Sequence, residues 1–245
     1  EEEKKLVVAY AGPDDALRSQ NAATMMVEAQ QSALAAGKKL SGQGGHAIAV
    51  TYPANYGGYP LCMQSFKAGI EGSGIQLISE INAGFGREMG YQQTAVLIPQ
   101  LRDQGIDFVY GMDDALLAGA IQALEEAGFE VGKDIIAVGT VGNGDRQLLA
   151  TGKQYATTLQ APLLEGQLAI QVADEYLTTG KAKKFLNFSP NPAIRHTELK
   201  GFTLKGYDEV TYTIDELAAW DTGTNAARDD DEDIWLSMRA IHRNY

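Results

Sequence analysis

IDFVYGMDDALLAGAIQALEEAG, residues 106–128, reads as a strand, a tight turn and a helix. Ile106, Phe108, Val109 and Tyr110 form a run with the length and aromatic content of a buried strand. Gly111 breaks it. Asp113 or Asp114 then offers a carboxylate to the unpaired N–H groups of a helix whose apolar positions, Leu116, Leu117, Ala120, Ile121 and Leu124, recur at spacings of three and four. Gly128 supplies the stop. Ile135 to Val138 follows as a second short apolar run ending at a glycine. Strand, helix and strand in such close order form the βαβ unit of a mostly parallel sheet.

The same rhythm extends outward in both directions. Lys5 to Tyr10 predicts a first strand turned by Gly12 and Pro13, and a helix from Asp15 or Ser19 to Ala36 is carried by Ala22, Met25, Met26, Ala29 and Leu34. Strands are predicted over Ala47–Thr51, Ile75–Ile81 and Tyr155–Leu159, and helices over Leu61–Ile70, Arg87–Leu101 and Pro162 to about Leu177. The fold class is therefore α/β: a Rossmann-like open parallel sheet of about six strands with helices on both faces. Beyond Gly180 the alternation stops. Lys184 to Phe188 predicts a further strand, and residues 200–212 a hairpin or extended arm. Tyr207 to Asp233 holds ten acidic residues against one basic, so residues 193–245 are read as an acidic extension on a lobe formed by 1–192. Its last residues, 234–245, predict a short amphipathic helix.

Several function classes are disfavoured. A formal charge of −12 and a pI near 4.7 argue against a nucleic-acid surface, which needs a basic patch. Cys62 is the only cysteine, so no internal disulfide forms. No run of 18 apolar residues marks a simple transmembrane helix. EEEKKLVVAY has no signal-peptide profile, so a secreted protein would be in processed or truncated form. The glycines of SGQGG, residues 41–45, precede a strand, whereas a dinucleotide fingerprint needs them after one. His46, His196 and His242 share no metal spacing, DDDED at 229–233 lacks the calcium-loop pattern, and neither a G-x-S-x-G turn nor a phosphate loop occurs. Neither a cofactor, a metal site nor a catalytic group is predicted.

Ligands of an open parallel sheet bind outside the carboxyl ends of its strands. Five loops meet that description: 52–60, 82–87, 111–114, 139–144 and 160–162. Phe85, with glycine on both sides, can present a ring to a ligand or serve as a satellite of the core. The Gln160 carboxamide can grip a hydroxyl or remain an exposed amide. Asp113 and Asp114 are read as helix caps before ligand contacts, and Arg87 as a surface residue before an anion partner.

The stretches PANYGGYPLCMQSFKAGIEG, INAGFGREMGYQQ, FVYGMDDALLAGAIQALEEAGFEVGKDIIAVG and YATTLQAPLLEGQLA resemble the type I periplasmic sugar-binding proteins of bacterial ABC transporters, the ribose- and galactose-binding group, over about residues 6–190. The resemblance implies two similar α/β lobes joined by three crossings, here near 5–14, 158–162 and 184–192, closing on a small ligand. Material for one lobe is present, the C-terminal one. The other is expected in missing or removed sequence. By motif, the resemblance places the family's stacking Phe at Phe85 and its hinge-side Gln at Gln160, and puts Cys62, Met112 and Val141 where the family has Arg, Asn and Asp. Each buried sugar hydroxyl left unpaired costs on the order of 1–3 kcal/mol. That exchange therefore implies a less polar ligand or a sugar derivative held through Tyr52, Tyr56 and Tyr59, with Asp113 at the lip. The implied function is non-enzymatic capture of a small carbohydrate or carbohydrate-like solute in the periplasm, presented to an ABC transporter permease. The rival classes are the effector-binding core of a LacI-type transcription regulator, and a ligand-sensing or interaction module without transport.

Overall fold

The strand and helix read from residues 106–128 are present as Phe108–Gly111 and Asp114–Glu126 in the computed structural model, which describes residues 7–160, 162–182, 186–189, 191–198, 202–203 and 211–212. In chain order the elements are β1 (Tyr10–Pro13), α1 (Asp15–Ala35), β2 (His46–Thr51), α2 (Tyr59–Ile70), β3 (Gln76–Asn82), α3 (Gly86–Leu101), β4 (Phe108–Gly111), α4 (Asp114–Glu126), β5 (Ile136–Val138), α5 (Arg146–Ala150), β6 (Gln154–Thr158), α6 (Pro162–Thr179), β7 (Leu186–Ser189), β8 (Ala193–Arg195), β9 (Phe202–Thr203) and β10 (Thr211–Tyr212). The acidic run at 229–233 and the helix expected over 234–245 lie outside the described residues.

Two units result. The larger, Asp15–Thr158 with Ala193–Leu199, contains a six-stranded sheet of order β3-β2-β4-β5-β6-β8. Its first five strands run parallel and β8 lies antiparallel to β6. α1 packs on α2 and α3 on α4, the pairing expected of crossover helices between parallel strands. From β2 the chain moves out to β3, then returns past β2 to β4, so the order of winding reverses between β2 and β4. Such a switch point opens a crevice at the carboxyl ends of the two strands. β2 and β4 are also the most deeply buried strands, as expected for central members of a sheet covered on both faces. The Phe66 ring from α2 stacks on Tyr110 of β4 at a centroid distance of 4.0 Å and an angle of 7°. α3 and α4 meet through glycine: a Cβ on Gly119 would lie 2.0 Å from the Arg87 carbonyl oxygen, and one on Gly90 2.3 Å from that of Leu116.

The smaller unit holds β1 paired in parallel with β7, α6 packed on β1, and the short antiparallel pair β9–β10. β9–β10 falls where a hairpin is expected. The first strand differs from its sequence reading, because pairing with Leu186–Ser189 sets it at Tyr10–Pro13 and draws in Gly12 and Pro13, predicted as a turn. Proline at a strand end is tolerated where no ladder N–H is required. This strand is also no member of the large sheet. The sixth place there goes to β8, whose three residues are too few for any hydrophobic alternation to announce them.

Candidate functional site

Because β2, β3, β4 and β5 run parallel, the loops that follow them, 52–60, 82–86, 111–114 and 139–144, emerge at one edge of the larger unit's sheet. Gln160 belongs to the smaller unit, where its Nε2 donates to Glu165 Oε2 at 3.1 Å.

An aromatic cluster stands at the carboxyl ends of β2 and β3. Phe85 lies 4.9 Å from Tyr52 and 5.8 Å from Tyr56, and Tyr52 and Tyr56 meet edge-on at 5.0 Å, all measured between ring centroids. Tyr52 is the buried member, whereas Phe85 is 56% exposed and Tyr56 41% exposed, an open aromatic shelf resting on a fixed ring. The Gly84 and Gly86 backbones both take positive φ, 111° and 80°, which explains why the ring is flanked by glycines. Tyr52 Oη donates to Asp113 Oδ2 at 2.9 Å, and the Leu116 N–H donates to Asp113 Oδ1 at 2.6 Å. Asp113 is thus the N-cap of α4 and also ties the end of β2 to the end of β4 across the switch point. Burial and the neighbouring Asp113 carboxylate raise the Tyr52 phenol well above its ordinary range.

Two of the candidate ligand-binding residues, Met112 and Cys62, lie in the core, with no accessible surface. The Met112 N–H donates to the Val50 carbonyl and its carbonyl accepts from Thr140 Oγ1 at 2.5 Å, so backbone bonding turns its side chain inward. The Cys62 side chain faces α1, where Arg18 Nη2 approaches its Sγ at 3.6 Å. Tyr59, at the start of α2, donates to Glu80 Oε2 at 2.9 Å, and Glu80 also meets Lys67 at 2.5 Å. Val141 remains half-buried in the 139–144 loop with φ at 80°, the left-handed region that a β-branched residue seldom adopts. Among the described residues no group of three or more His, Cys, Asp or Glu is placed to hold a metal.

Asp114 is fully buried. Its Oδ1 accepts from Gln154 Nε2 at 2.8 Å and its Oδ2 from Thr157 Oγ1 at 2.7 Å. Burial pushes the carboxyl up to about 8, against the opposing pull of the Thr157 and Gln154 donors. Protonated, it can donate to Thr157 Oγ1 while that hydroxyl donates to the Thr158 carbonyl, 3.1 Å away.

Arg18 and Asp15 stand out in the structure but not in the sequence reading. Arg18 is 3% exposed on the inner face of α1 and pairs with Asp15 Oδ1 at 2.8 Å. Burial disfavours its charge, but Asp15 and then Cys62 more than offset this and the guanidinium pKa is raised. The available signal is spacing: Arg18 precedes Ala22, Met25 and Ala29 by four, seven and eleven residues, which puts it on the buried stripe.

A family model described as the periplasmic binding protein domain matches residues 2–182. The ribose import binding protein of Bacillus subtilis (strain 168) is 31% identical over 114 residues, a match covering 46% of this chain and 35% of that protein. Among solved structures, a galactofuranose binding protein is similar with a TM-score of 0.70 at 21% identity, over 80% of this chain and 64% of the other. The periplasmic binding protein component of the arabinose ABC transporter from Shewanella sp. ANA-3, bound to alpha and beta-L-arabinofuranose, is similar with a TM-score of 0.68 at 19% identity, over 79% and 61%. The matched region spans about a third of the curated relative and under two thirds of these solved chains. With three quarters of its length under that family model and its sheet wound in the same manner, the chain belongs to the periplasmic binding protein domain family.

Proposed function

We propose that this chain is the C-terminal ligand-binding lobe of a non-enzymatic solute-binding protein that captures a small carbohydrate, or a less polar derivative of one, outside the cytoplasm for an ABC transporter. The observation that carries this reading is the exposed shelf of Phe85 and Tyr56, braced by buried Tyr52 at the switch point of a parallel sheet. Aromatic rings suit the C–H face of a sugar, and the carboxyl edge of the sheet is where such folds take ligands. Family membership supports the class of protein. Two of the similar solved structures bear furanose sugars in their names, which favours a five-membered ring.

In this reading Phe85 and Tyr56 contact the ligand, Asp113 holds the shelf from beneath, and Val141 borders it. A companion lobe outside this chain completes the cleft, and the permease recognises the closed form. The chain passes between its two units at residues 14–15, 158–159, 192–193 and 199–200.

Isothermal titration with D-ribose, L-arabinose, D-galactose and methyl β-D-galactofuranoside tests the reading. Binding of at least one sugar is expected, weakened about tenfold by Phe85→Ala with the melting temperature preserved. Binding of none, or equal binding by the variant, overturns it.

A further inference from the structure

The aromatic shelf supplies only an apolar surface, and a sugar also needs its hydroxyls met. Asp113, the nearest carboxylate in the loops, is spent on the Leu116 N–H and Tyr52 Oη and is 4% exposed. Asp114 is buried behind it, engaged with Gln154 and Thr157. Beside the shelf a further carboxylate is partly open. Asp15 begins α1, keeps 24% of its side chain exposed, and has Oδ1 held at 2.8 Å by a guanidinium that is itself 4% exposed.

Gly58 fixes where the other oxygen lies. A Cβ built there would sit 2.9 Å from Asp15 Oδ2 and 3.0 Å from Tyr56 Cε1. The carboxylate and the shelf ring therefore stand side by side against residue 58, and its lack of a side chain lets both come this close. Gly58 has φ of −80° and ψ of −16°, a conformation open to any residue, so space rather than backbone freedom is what its lack of a side chain provides. The same Arg18 guanidinium is packed against the Cys62 sulfur at 3.6 Å, and the Cys62 Sγ lies 3.8 Å from the Asp15 carbonyl. The carboxylate is thus set by buried groups on two helices, a preorganised acceptor instead of a mobile surface acid.

Resting on the carbohydrate reading above, we propose that Asp15 is the polar anchor of this site, its Oδ2 accepting a hydroxyl hydrogen from a sugar ring stacked on Phe85 and Tyr56, with Arg18 as the positioning residue. A hydroxyl bonded to an ionised carboxylate belongs to the stronger class of hydrogen bonds.

The test takes whichever sugar of the calorimetric panel binds the full chain, together with its monodeoxy analogues. Asp15→Asn preserves shape and removes the charge, and is expected to lower affinity about ten- to hundredfold for the parent sugar. For one deoxy analogue, the one lacking the anchored hydroxyl, that penalty vanishes. A merely structural role for Asp15 would weaken parent and analogues alike. Arg18→Met should reproduce the same analogue dependence. Amide shifts of the unaltered chain during titration supply a measurement independent of how the variants fold, with Asp15 and Gly58 expected to move along with Phe85. Sugar binding that Asp15→Asn leaves unchanged, a loss equal across all analogues, or shifts that spare Asp15 and Gly58, overturns the anchor and leaves the carbohydrate reading standing. Failure of every sugar to bind the unaltered chain overturns both.

Discussion

At the scale of single residues, adjacent acids in one turn have been given opposite electrostatic duties. Asp113 accepts from an N–H and a phenol at the surface of the core, while Asp114, one residue on, is sealed between Gln154 and Thr157. Its carboxyl titrates near 3.8 when unfolded and about 8 in the fold. A raised value favours the folded state fully below the unfolded pKa and loses that advantage as pH rises through the folded one. Stability relative to an Asp114→Asn variant should therefore fall between pH 4 and pH 8, and the variant, whose amide reproduces the protonated pattern, should lack that slope. Urea unfolding of both proteins across this range checks it. An identical pH dependence in the two would place the carboxylate in an ionised state throughout.

The same turn marks how far residue identity can be read unaided. A cap at Asp113 follows from an acid preceding a helical stripe, and it is there. Met112 is different, since a residue between a strand and a cap can face the solvent or the core with equal local propriety. Hydrogen bonds joining its backbone to Val50, earlier in the chain, and to Thr140, 28 positions later, decide the matter. Tyr59 is tied to Glu80, 21 positions along the chain, in the same way. Long-range partners of this kind leave no spacing in the sequence.

At the scale of elements, close approach governs the α3–α4 pair. Gly119→Ala would drive a Cβ against the Arg87 carbonyl, a backbone atom that cannot swing away, and should destabilise the protein by about 1–3 kcal/mol. Gly166, inside α6, is exposed, and a Cβ there meets nothing within 4 Å. Gly166→Ala should stabilise by up to about 1 kcal/mol through helix propensity alone. Thermal or urea melts of the two variants check the contrast in sign, and destabilisation by Gly166→Ala would mean that its helix face is covered.

Most elements were legible because each long helix carries its own apolar stripe and each central strand its own apolar run. β1 is shifted from its predicted span and β8 escaped because both are defined by partners far along the chain: β1 by Leu186–Ser189, and β8 by Ala156–Thr158. The candidate site was legible as an edge, since strand ends can be counted. Its chemistry was less so. Phe85 announced itself through flanking glycines, whereas the neighbours of the Arg18–Asp15 pair, Cys62 and Gly58, depend on α1 and α2 lying side by side.

At the scale of the molecule, the reversal of winding between β2 and β4 gives the account its geometry. It brings Tyr52 to Asp113 and so fixes the shelf on which Phe85 and Tyr56 stand. A sugar is expected to bind at this edge, and amide chemical-shift mapping of the full chain with methyl β-D-galactofuranoside and D-ribose checks it. Perturbed amides should gather in residues 52–60, 82–86, 111–114 and 139–144, with the start of α1. Shifts confined to other surfaces, or none at saturating sugar, would contradict it.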